Sequence, residues 1–555
     1  MRRPPKEDLV VLGVALLFWT CGLALGFFLD DLHNLERALA APWSLRGLAD
    51  GFTVFDPATI EVWCLDHDPV RFLRPLFVLS LKLDHAIWGF TAFGYHLTNL
   101  LLHGLNAVMV RRLLLRLRIP SPRALLAACL FAAFPHHTVA VLWISGRTEV
   151  LMATFVLGAL LLHLRALDGV RPTASRLGSL GLAAAAFLTK EGAVTLPVFL
   201  ALVEWMRRDR ALPRGAQLRG ALVRLTPVVL LTALYLGLRL GVMGLGAHPP
   251  RPYYLSPTDP DFPAFAAVKL VYYSFAWLVS VPIMPVAPVA FLVRTPLALA
   301  AVAAFTVAGW FAVLHVLRRD AGTPAWLAWT AAGLIPTLPL MASNHYTYLS
   351  NVGVAVLGAG VLLWIPRPRL RRGLLVGTAL LFGIHALNGF LTYRGLETHN
   401  REIAARVLEA APELRDGGRD LYLVNLPFIA AHTGQRLRLL HGAKGLRTHL
   451  VTVSSEPFTP EAGAWANATP EGSLYLSLPA GWLDRDLIRM FLTMGTDIEA
   501  GGRYPCGDGV LVPRDGPAGP LTTIEVTWPA DADPVVVLLE RTEGDAIAAQ
   551  RVRVR

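Results

Sequence analysis

Leu9-Val-Val-Leu-Gly-Val-Ala-Leu-Leu-Phe-Trp-Thr-Cys-Gly-Leu-Ala-Leu-Gly-Phe-Phe28 is an almost unbroken apolar run, and it ends in Leu29-Asp30-Asp31-Leu32-His33-Asn34. A helix needs about 20 apolar residues to cross a bilayer. The run therefore predicts a membrane span, and the paired carboxylates mark where lipid gives way to water. A cleaved signal peptide has a shorter apolar core and small residues at its cleavage site, whereas this run closes on bulky Phe27-Phe28-Leu29. The helix is read as retained, with Arg2, Arg3 and Lys6 on the cytoplasmic side.

The rest of the chain has the same character. Of 555 residues, 54% are hydrophobic and only 16% charged, against about a quarter charged in soluble domains; the mean hydropathy is +0.49. Lys and Arg number 51 against 40 Asp and Glu, but the basic residues sit in short clusters between apolar runs. That is the pattern of membrane topology, so nucleic acid is not expected as a partner. Four cysteines are too few for a disulfide framework. Cys21 and Cys129 lie inside apolar runs, while Cys64 and Cys506 fall on one predicted outer face, where an oxidising compartment permits a bridge.

Alternating apolar runs with basic clusters gives the topology. After an acidic, aromatic outer loop over 29–92, spans are expected near 93–110, 124–144 and 149–164. Shorter helices over 178–189 and 193–206 carry Lys190 and Glu191 at their tip. A span over 225–242 leads outward to a Pro- and Tyr-rich loop starting at His248, and the segment 266–288, with Tyr272, Tyr273, Trp277 and several prolines, is read as interfacial or re-entrant, because irregular backbone exposed to lipid would leave amides unsatisfied. Spans over 295–316, 324–341, 350–365 and 373–392 complete a polytopic α-helical protein of about eleven spans. From 397 onward charge rises and short segments such as 421–424, 450–453, 473–478 and 535–539 read as strands between Gly and Pro turns. The expected division is a membrane domain over 1–396 and a β-rich or α+β extracytoplasmic domain over 397–555, with no helical repeat period in the latter. Asn467-Ala-Thr matches a glycosylation sequon and is read as a chance match.

Charged groups at span ends are costly and point to function. The predicted outer face collects Asp30, Asp31, Arg74, His96, His136, His137, Arg147, Glu149, Lys190, Glu191, Arg239, His345, Tyr346 and Tyr348. Each has a plain structural alternative: a solvated helix end for the Asp pair, a headgroup anchor for Arg74, a self-neutralising pair for Lys190 and Glu191, an aromatic belt for the tyrosines. His136-His137 lacks the spacing of a metal site, so no metal ligands are assigned and a divalent cation is only permitted. In combination, a carboxylate base beside several fixed cations suits transfer from an anionic lipid phosphate: the base takes a proton from an acceptor hydroxyl and the cations stabilise the departing phosphate.

Four motifs in order, Phe72-Leu-Arg-Pro-Leu76, Gly94-Tyr-His-Leu-Thr-Asn-Leu-Leu-Leu-His103, Phe131-Ala-Ala-Phe-Pro-His-His-Thr138 running on to Trp143-Ile-Ser-Gly-Arg-Thr-Glu149, and Leu188-Thr-Lys-Glu-Gly192, resemble the membrane-embedded O-mannosyltransferases that carry tetratricopeptide repeats. Those enzymes belong to the GT-C glycosyltransferase class. The resemblance covers roughly 27–365 and implies a polytopic helical fold, a lumenal or periplasmic active site and a polyprenyl-phosphate-linked sugar donor. It also implies an acidic pair in the first outer loop, here Asp30 and Asp31, one of them the base. Arg74, His137, Arg147, Glu149, Lys190 and Glu191 become candidates for donor phosphate or sugar contacts. Asn344-His345-Tyr346-Thr347-Tyr348-Leu349-Ser350 departs from the family's acidic-Arg-Tyr run, and the β-like segment stands where the repeats would be.

The expectation is an inverting glycosyltransferase of a bacterial inner membrane, moving a sugar from a polyprenyl phosphate to a hydroxyl of a periplasmic acceptor. Its N-terminus is cytoplasmic and its C-terminal domain periplasmic, and its partners are the lipid-linked sugar, the acceptor and membrane lipid. The alternatives are a lipid-linked glycan flippase, against which no inverted repeat is found, and a non-catalytic assembly protein.

Overall fold

The computed structural model describes residues 5–54, 70–209, 211–243, 253–281, 287–454, 459–469, 472–478, 481–482, 492–493, 498–515, 521–542 and 546–554. Cys64, and with it the permitted bridge to Cys506, lies outside the described residues.

Helix α1 (Lys6–Trp19) continues through a 3₁₀ turn to Ala24. The described part of the 29–92 loop is largely helical, with α2 (Asp31–Ala40), α3 (Leu45–Asp50) and α4 (Pro75–Trp88), and strands β1 (Thr53–Val54) and β2 (Val70–Arg71) pair antiparallel between α3 and α4. Next come α5 (Ala92–Arg116), α6 (Ser121–Ala133), α7 (Thr138–Leu142), α8 (Arg147–Leu167), α9 (Pro172–Phe187), α10 (Leu196–Arg207) and α11 (Arg214–Met243). They are followed by α12 (Phe262–Val279), α13 (Ala287–Arg294), α14 (Pro296–Leu317), α15 (Thr323–Leu334), α16 (Ser350–Trp364) and α17 (Pro368–Ala410).

Among the described residues six helices are long and apolar enough to cross a membrane, Lys6–Ala24, α8, Arg214–Gly241 of α11, α12, α14 and α17, and a bent pair would make seven. The protein is an integral membrane protein. Helices α9, α10, α15 and α16 form where spans were expected but have 16, 12, 12 and 15 residues, short of about 20 for an upright crossing. Helix α5 is long enough, but its apolar surface is interrupted by the fully buried Asn99, His103 and Asn106.

Two expectations are corrected. The span over 124–144 bends by 47° between α6 and the helical segment Pro135–Leu142. Pro135 has no N–H to donate, and it holds Phe134 extended at φ −63° and ψ 128°. The stretch over 266–288, read as interfacial or re-entrant, is regular helix as far as Val279, the end of the continuous 18-residue α12 that begins at Phe262. Its proline lies in the first turn, where an N–H would be unsatisfied anyway. Buried Lys269 on this helix donates to the carbonyls of Thr337 and Leu338, both at 2.9 Å.

The C-terminal segment forms two main sheets. Strands β7 (Trp465–Ala468), β8 (Ser473–Ser477), β9 (Tyr504–Cys506), β10 (Gly509–Pro513) and β11 (Thr523–Thr527) make an antiparallel sheet in the order β7-β8-β11-β10-β9. Strands β3 (Asp420–Val424), β5 (Arg447–Leu450), β12 (Val535–Arg541) and β13 (Ile547–Val552) make a mixed sheet in the order β13-β12-β3-β5, with β4 (Leu426–Pro427) and β6 (Val453–Ser454) pairing beside it. Helix α17, with 43 residues, runs straight through the composition boundary at 396. Its last turns bury Ile403, Ala404, Val407 and Leu408 in the same core as Leu421 and Val535–Leu539.

Two contacts tie these parts to the outer loop. Arg147, fully buried, pairs with Asp84 of α4 at 2.6 Å and donates to Asn99 Oδ1 and to the Tyr95 carbonyl of α5, each at 2.7 Å. From the C-terminal domain, α18 (Thr433–Leu440) lies on α2: Arg438 forks onto Glu36 at 2.7 and 2.8 Å, and buried Arg436 donates to the Phe27 carbonyl at 2.6 Å.

Breaking a buried pair from one side leaves a charge unpaired, at a cost of about 3–5 kcal/mol. Asp84→Asn is expected to lower the denaturation midpoint of the detergent-solubilised protein accordingly, with Asp84→Asn/Arg147→Met less damaging than the sum of the single changes. An unchanged midpoint removes Arg147 as an anchor. Loss of a hydrogen bond from a charged group costs about 1.5–3 kcal/mol, so Arg436→Met is expected to speed amide hydrogen exchange over 28–40 by about tenfold or more. Equal exchange in variant and parent would show that α18 does not hold the outer loop.

Candidate active site

The two aspartates do different things although they are adjacent. Leu29 has a left-handed backbone at φ 50°, so the chain turns sharply between α1 and α2. Asp31 is buried and fully engaged: the Ser145 backbone N–H and hydroxyl donate to its Oδ1 at 3.0 and 2.9 Å, and the Phe28 N–H donates to its Oδ2 at 3.2 Å. Asn34 supports this by donating to the Ser145 hydroxyl at 2.9 Å. Asp30 stands at the N-cap of α2 without capping it, and its Oδ1 is buried with no hydrogen-bond partner. Burial pushes Asp30 up to about 6, tempered by nearby Asn34, Ser145 and Trp143. Burial, then the charge of Asp30, pushes Asp31 up to about 8. Both carboxyls therefore hold a proton more tightly than an exposed aspartate, Asp31 more so because Asp30 stands beside it.

Opposite the carboxylates lie cations with graded partners. Arg74, set in place by the turn before Pro75, forks onto Glu191 at 3.2 Å from Nε and 2.8 Å from Nη2, and lies over the rings of Phe72 and Phe52 at 4.4 and 4.6 Å. Burial alone would raise the Glu191 carboxyl, but Arg74, with Arg239 behind it, holds it below its ordinary value. Arg239, on α11, has its Nε buried without a hydrogen-bond partner. Lys190 pairs with Glu149 at 2.7 Å and lies 5.1 Å from the centre of the Tyr346 ring. Burial lowers the Lys190 ammonium, and Glu149 opposes that only in part. The Tyr346 hydroxyl meets that of Tyr253 at 3.2 Å. Tyr253 feels the charges of Arg74, Asp30 and Glu191 together. His345 shares a hydrogen bond with the Ser343 hydroxyl at 2.7 Å and packs edge-on to Trp143 at 5.8 Å.

The structure thus gathers Asp30, Arg74, Glu149, Lys190, Glu191, Arg239, His345 and Tyr346. It leaves the other candidates in supporting places. Arg147 is spent on Asp84, Asn99 and Tyr95, with no exposure. His137 and Tyr348 belong to a ring cluster with Phe131 and His103, in which the Tyr348 hydroxyl meets His103 Nδ1 at 2.7 Å. His136 and His96 contact the carbonyls of Val281 and Gly26. Tyr253, Trp143, Ser145 and Asn34 went unread. Trp143 and Ser145 lie inside a motif already quoted, which was a usable signal; Tyr253 lies in the Pro- and Tyr-rich loop that starts at His248, where nothing marks one tyrosine over its neighbour. Among the described residues no three His, Cys, Asp or Glu side chains converge as a metal site.

No protein-family model matches the chain. It is 32% identical over 206 residues to Protein O-mannosyl-transferase Tmtc2 of Drosophila melanogaster, covering 35% of this chain and 21% of that protein. Over 189 residues it is 38% identical to Tmtc1 of the same organism, covering 33% and 21%, and over 260 residues 33% identical to TMTC4 of Homo sapiens, covering 38% and 34%. The chain thus matches about a fifth to a third of the length of these curated relatives. Among solved structures, ArnT from Cupriavidus metallidurans bound to undecaprenyl phosphate aligns at TM-score 0.45 with 13% identity, over 95% of this chain and 99% of that one. The Archaeoglobus fulgidus oligosaccharyltransferase in its apo form aligns at 0.42 with 12% identity, over 80% and 64%. In sequence the chain resembles the O-mannosyl-transferases of the GT-C glycosyltransferase class, the family to which its motifs pointed.

Proposed function

We propose that this protein is an inverting glycosyltransferase that moves a sugar from a polyprenyl-phosphate donor to a hydroxyl of a periplasmic acceptor. In this reading it sits in a bacterial inner membrane with its N-terminus in the cytoplasm, a catalytic membrane domain over 1–396 and a periplasmic domain over 397–555. The observation that carries the proposal is Asp30, whose buried Oδ1 has no hydrogen-bond partner; its charge and that of Arg74 both act on Tyr253.

In the transfer, Asp30 accepts the acceptor's O–H proton as that oxygen bonds to the anomeric carbon from the face opposite the phosphate. The bond from the anomeric carbon to the phosphate oxygen breaks, and its electron pair leaves with the polyprenyl phosphate, which gains one negative charge. Arg74, Lys190 and Arg239 stabilise that charge, and no general acid is required because the leaving group is already a stable anion. Glu191 and Glu149 aim Arg74 and Lys190 rather than silence them: a guanidinium forked on its Nε and Nη2 edge still presents Nη1, and an ammonium pairs through one of three protons. Tyr253, Tyr346 and His345 line the space for the sugar. Asp31 is a positioning residue that fixes the turn on which Asp30 stands.

Transfer from a radiolabelled polyprenyl-phosphate sugar to an acceptor tests this. Asp30→Asn is expected to lower kcat by about 10²- to 10⁴-fold, with donor binding retained; full activity would overturn the assignment. A base must be ionised, and burial raises this carboxyl to about 6. The rate is therefore expected to fall as pH drops through about 6 and to level off above neutrality. A profile flat down to pH 4.5 would mean that another group takes the proton.

A further inference from the structure

A cavity of about 530 Å³ lies between α8, α9, α10 and α11. His163, which lines it, is roughly sixteen residues along α8 from Arg147, about 24 Å away. The cavity therefore sits at the opposite end of the helix from the carboxylate pair, the end that the basic clusters assign to the cytoplasm. Its polar wall carries His163, Arg176, Arg219 and Arg224, and its apolar floor includes Leu180 and Leu200.

The charges are unevenly spent. Arg224 is neutralised by Glu204, which it grips with two hydrogen bonds of 2.7 Å, and His163 meets the same carboxylate at 2.9 Å. Arg176 and Arg219 are exposed and have no acidic partner among the described residues, so the mouth carries two surplus positive charges. Beside them the surface is apolar. On α11, Val223 and Leu230 continue the stripe begun by Arg219 and are 68% and 63% exposed, and Leu177 follows Arg176 at 65%. A soluble anion has no use for that flank, whereas a lipid lays its chain there while the arginines hold its phosphate.

We infer that this cavity binds the phosphate headgroup of an anionic membrane lipid, with an acyl chain lying along the Val223 and Leu230 face of α11. The volume suits a single headgroup. The Glu204 fork holds Arg224 in place at the back, so that Arg176 and Arg219 close on the phosphate from the two sides of the mouth. The site is separate from any donor phosphate near Arg74, and the inference does not depend on the proposed transfer.

Native mass spectrometry of the full chain, released from micelles containing phosphatidylglycerol or phosphatidylcholine, tests it. One phosphatidylglycerol is expected to stay bound where phosphatidylcholine does not, and Arg176→Ala/Arg219→Ala is expected to weaken retention by about thirtyfold. Both side chains are exposed, so the variant should keep the parent's thermal midpoint, and Arg176→Lys/Arg219→Lys should restore most of the retention. Equal retention of the two lipids, or phosphatidylglycerol binding unchanged in the alanine variant, would overturn the inference. Displacement of the lipid by millimolar inorganic phosphate or glycerol phosphate alone would also overturn it, by making the site one for a soluble anion.

Discussion

The site depends on a guanidinium that does not belong to it. Arg147 is buried without exposure, at the start of α8, and it can be held there only because its charge meets Asp84 and its remaining donors meet Asn99 and the Tyr95 carbonyl. The effect propagates by contact. With its oxygen taken by Arg147, the Asn99 amide turns its N–H groups onto the turn after α7, donating to the Trp143 carbonyl at 3.0 Å. That turn carries Ser145, Ser145 holds Asp31, and Asp31 fixes the bend on which Asp30 stands. A charge placed in apolar surroundings thus sets the geometry of a carboxylate that it never touches.

Much of the membrane architecture was legible because its cause is one-dimensional. Apolar length and the placement of arginines respond directly to lipid thickness and to the membrane's asymmetry, and helices form at nearly every expected position. The failures come where three-dimensional packing decides. The prolines within 266–288, Pro282, Pro285 and Pro288, all follow Val279, so none of them falls inside α12. The rise in charge after residue 396 falls inside α17, whose Ile403, Val407 and Leu408 repeat at helical spacing and pack into the β-rich core.

The site was legible as a set of residues and illegible as a set of roles. Arg74, Lys190 and Asp30 were read together because charge at a span end is expensive wherever it occurs. The same rule named Arg147, and only its packing shows that every edge of it is spent. Charge cost marks where a polar group must be explained; it does not distinguish a group paired with the protein from one held ready for something else. Tyr253 escaped for the converse reason. A tyrosine costs little at a membrane boundary, so the sequence carries no penalty that would draw attention to it.

The separation of Asp30 from Asp31 has a local physical origin. Two residues in a row on a regular helix would point about 100° apart with similar environments. Here the left-handed Leu29, which for a branched side chain costs about 1–3 kcal/mol, tightens the turn so that Asp31 reaches back to the Phe28 N–H while Asp30 stays off its own helix terminus. The strain is held by packing on both sides. Phe28 stacks on Tyr393 of α17 at 4.8 Å, and Arg436 of α18 takes the Phe27 carbonyl. The long helix and the C-terminal domain therefore hold Phe28 and Phe27, on one side of the turn whose other side, Asp31, the Arg147 network fixes. Two independent clamps on one strained turn explain how adjacent, chemically identical side chains come to differ, one saturated with donors and the other left with a bare oxygen.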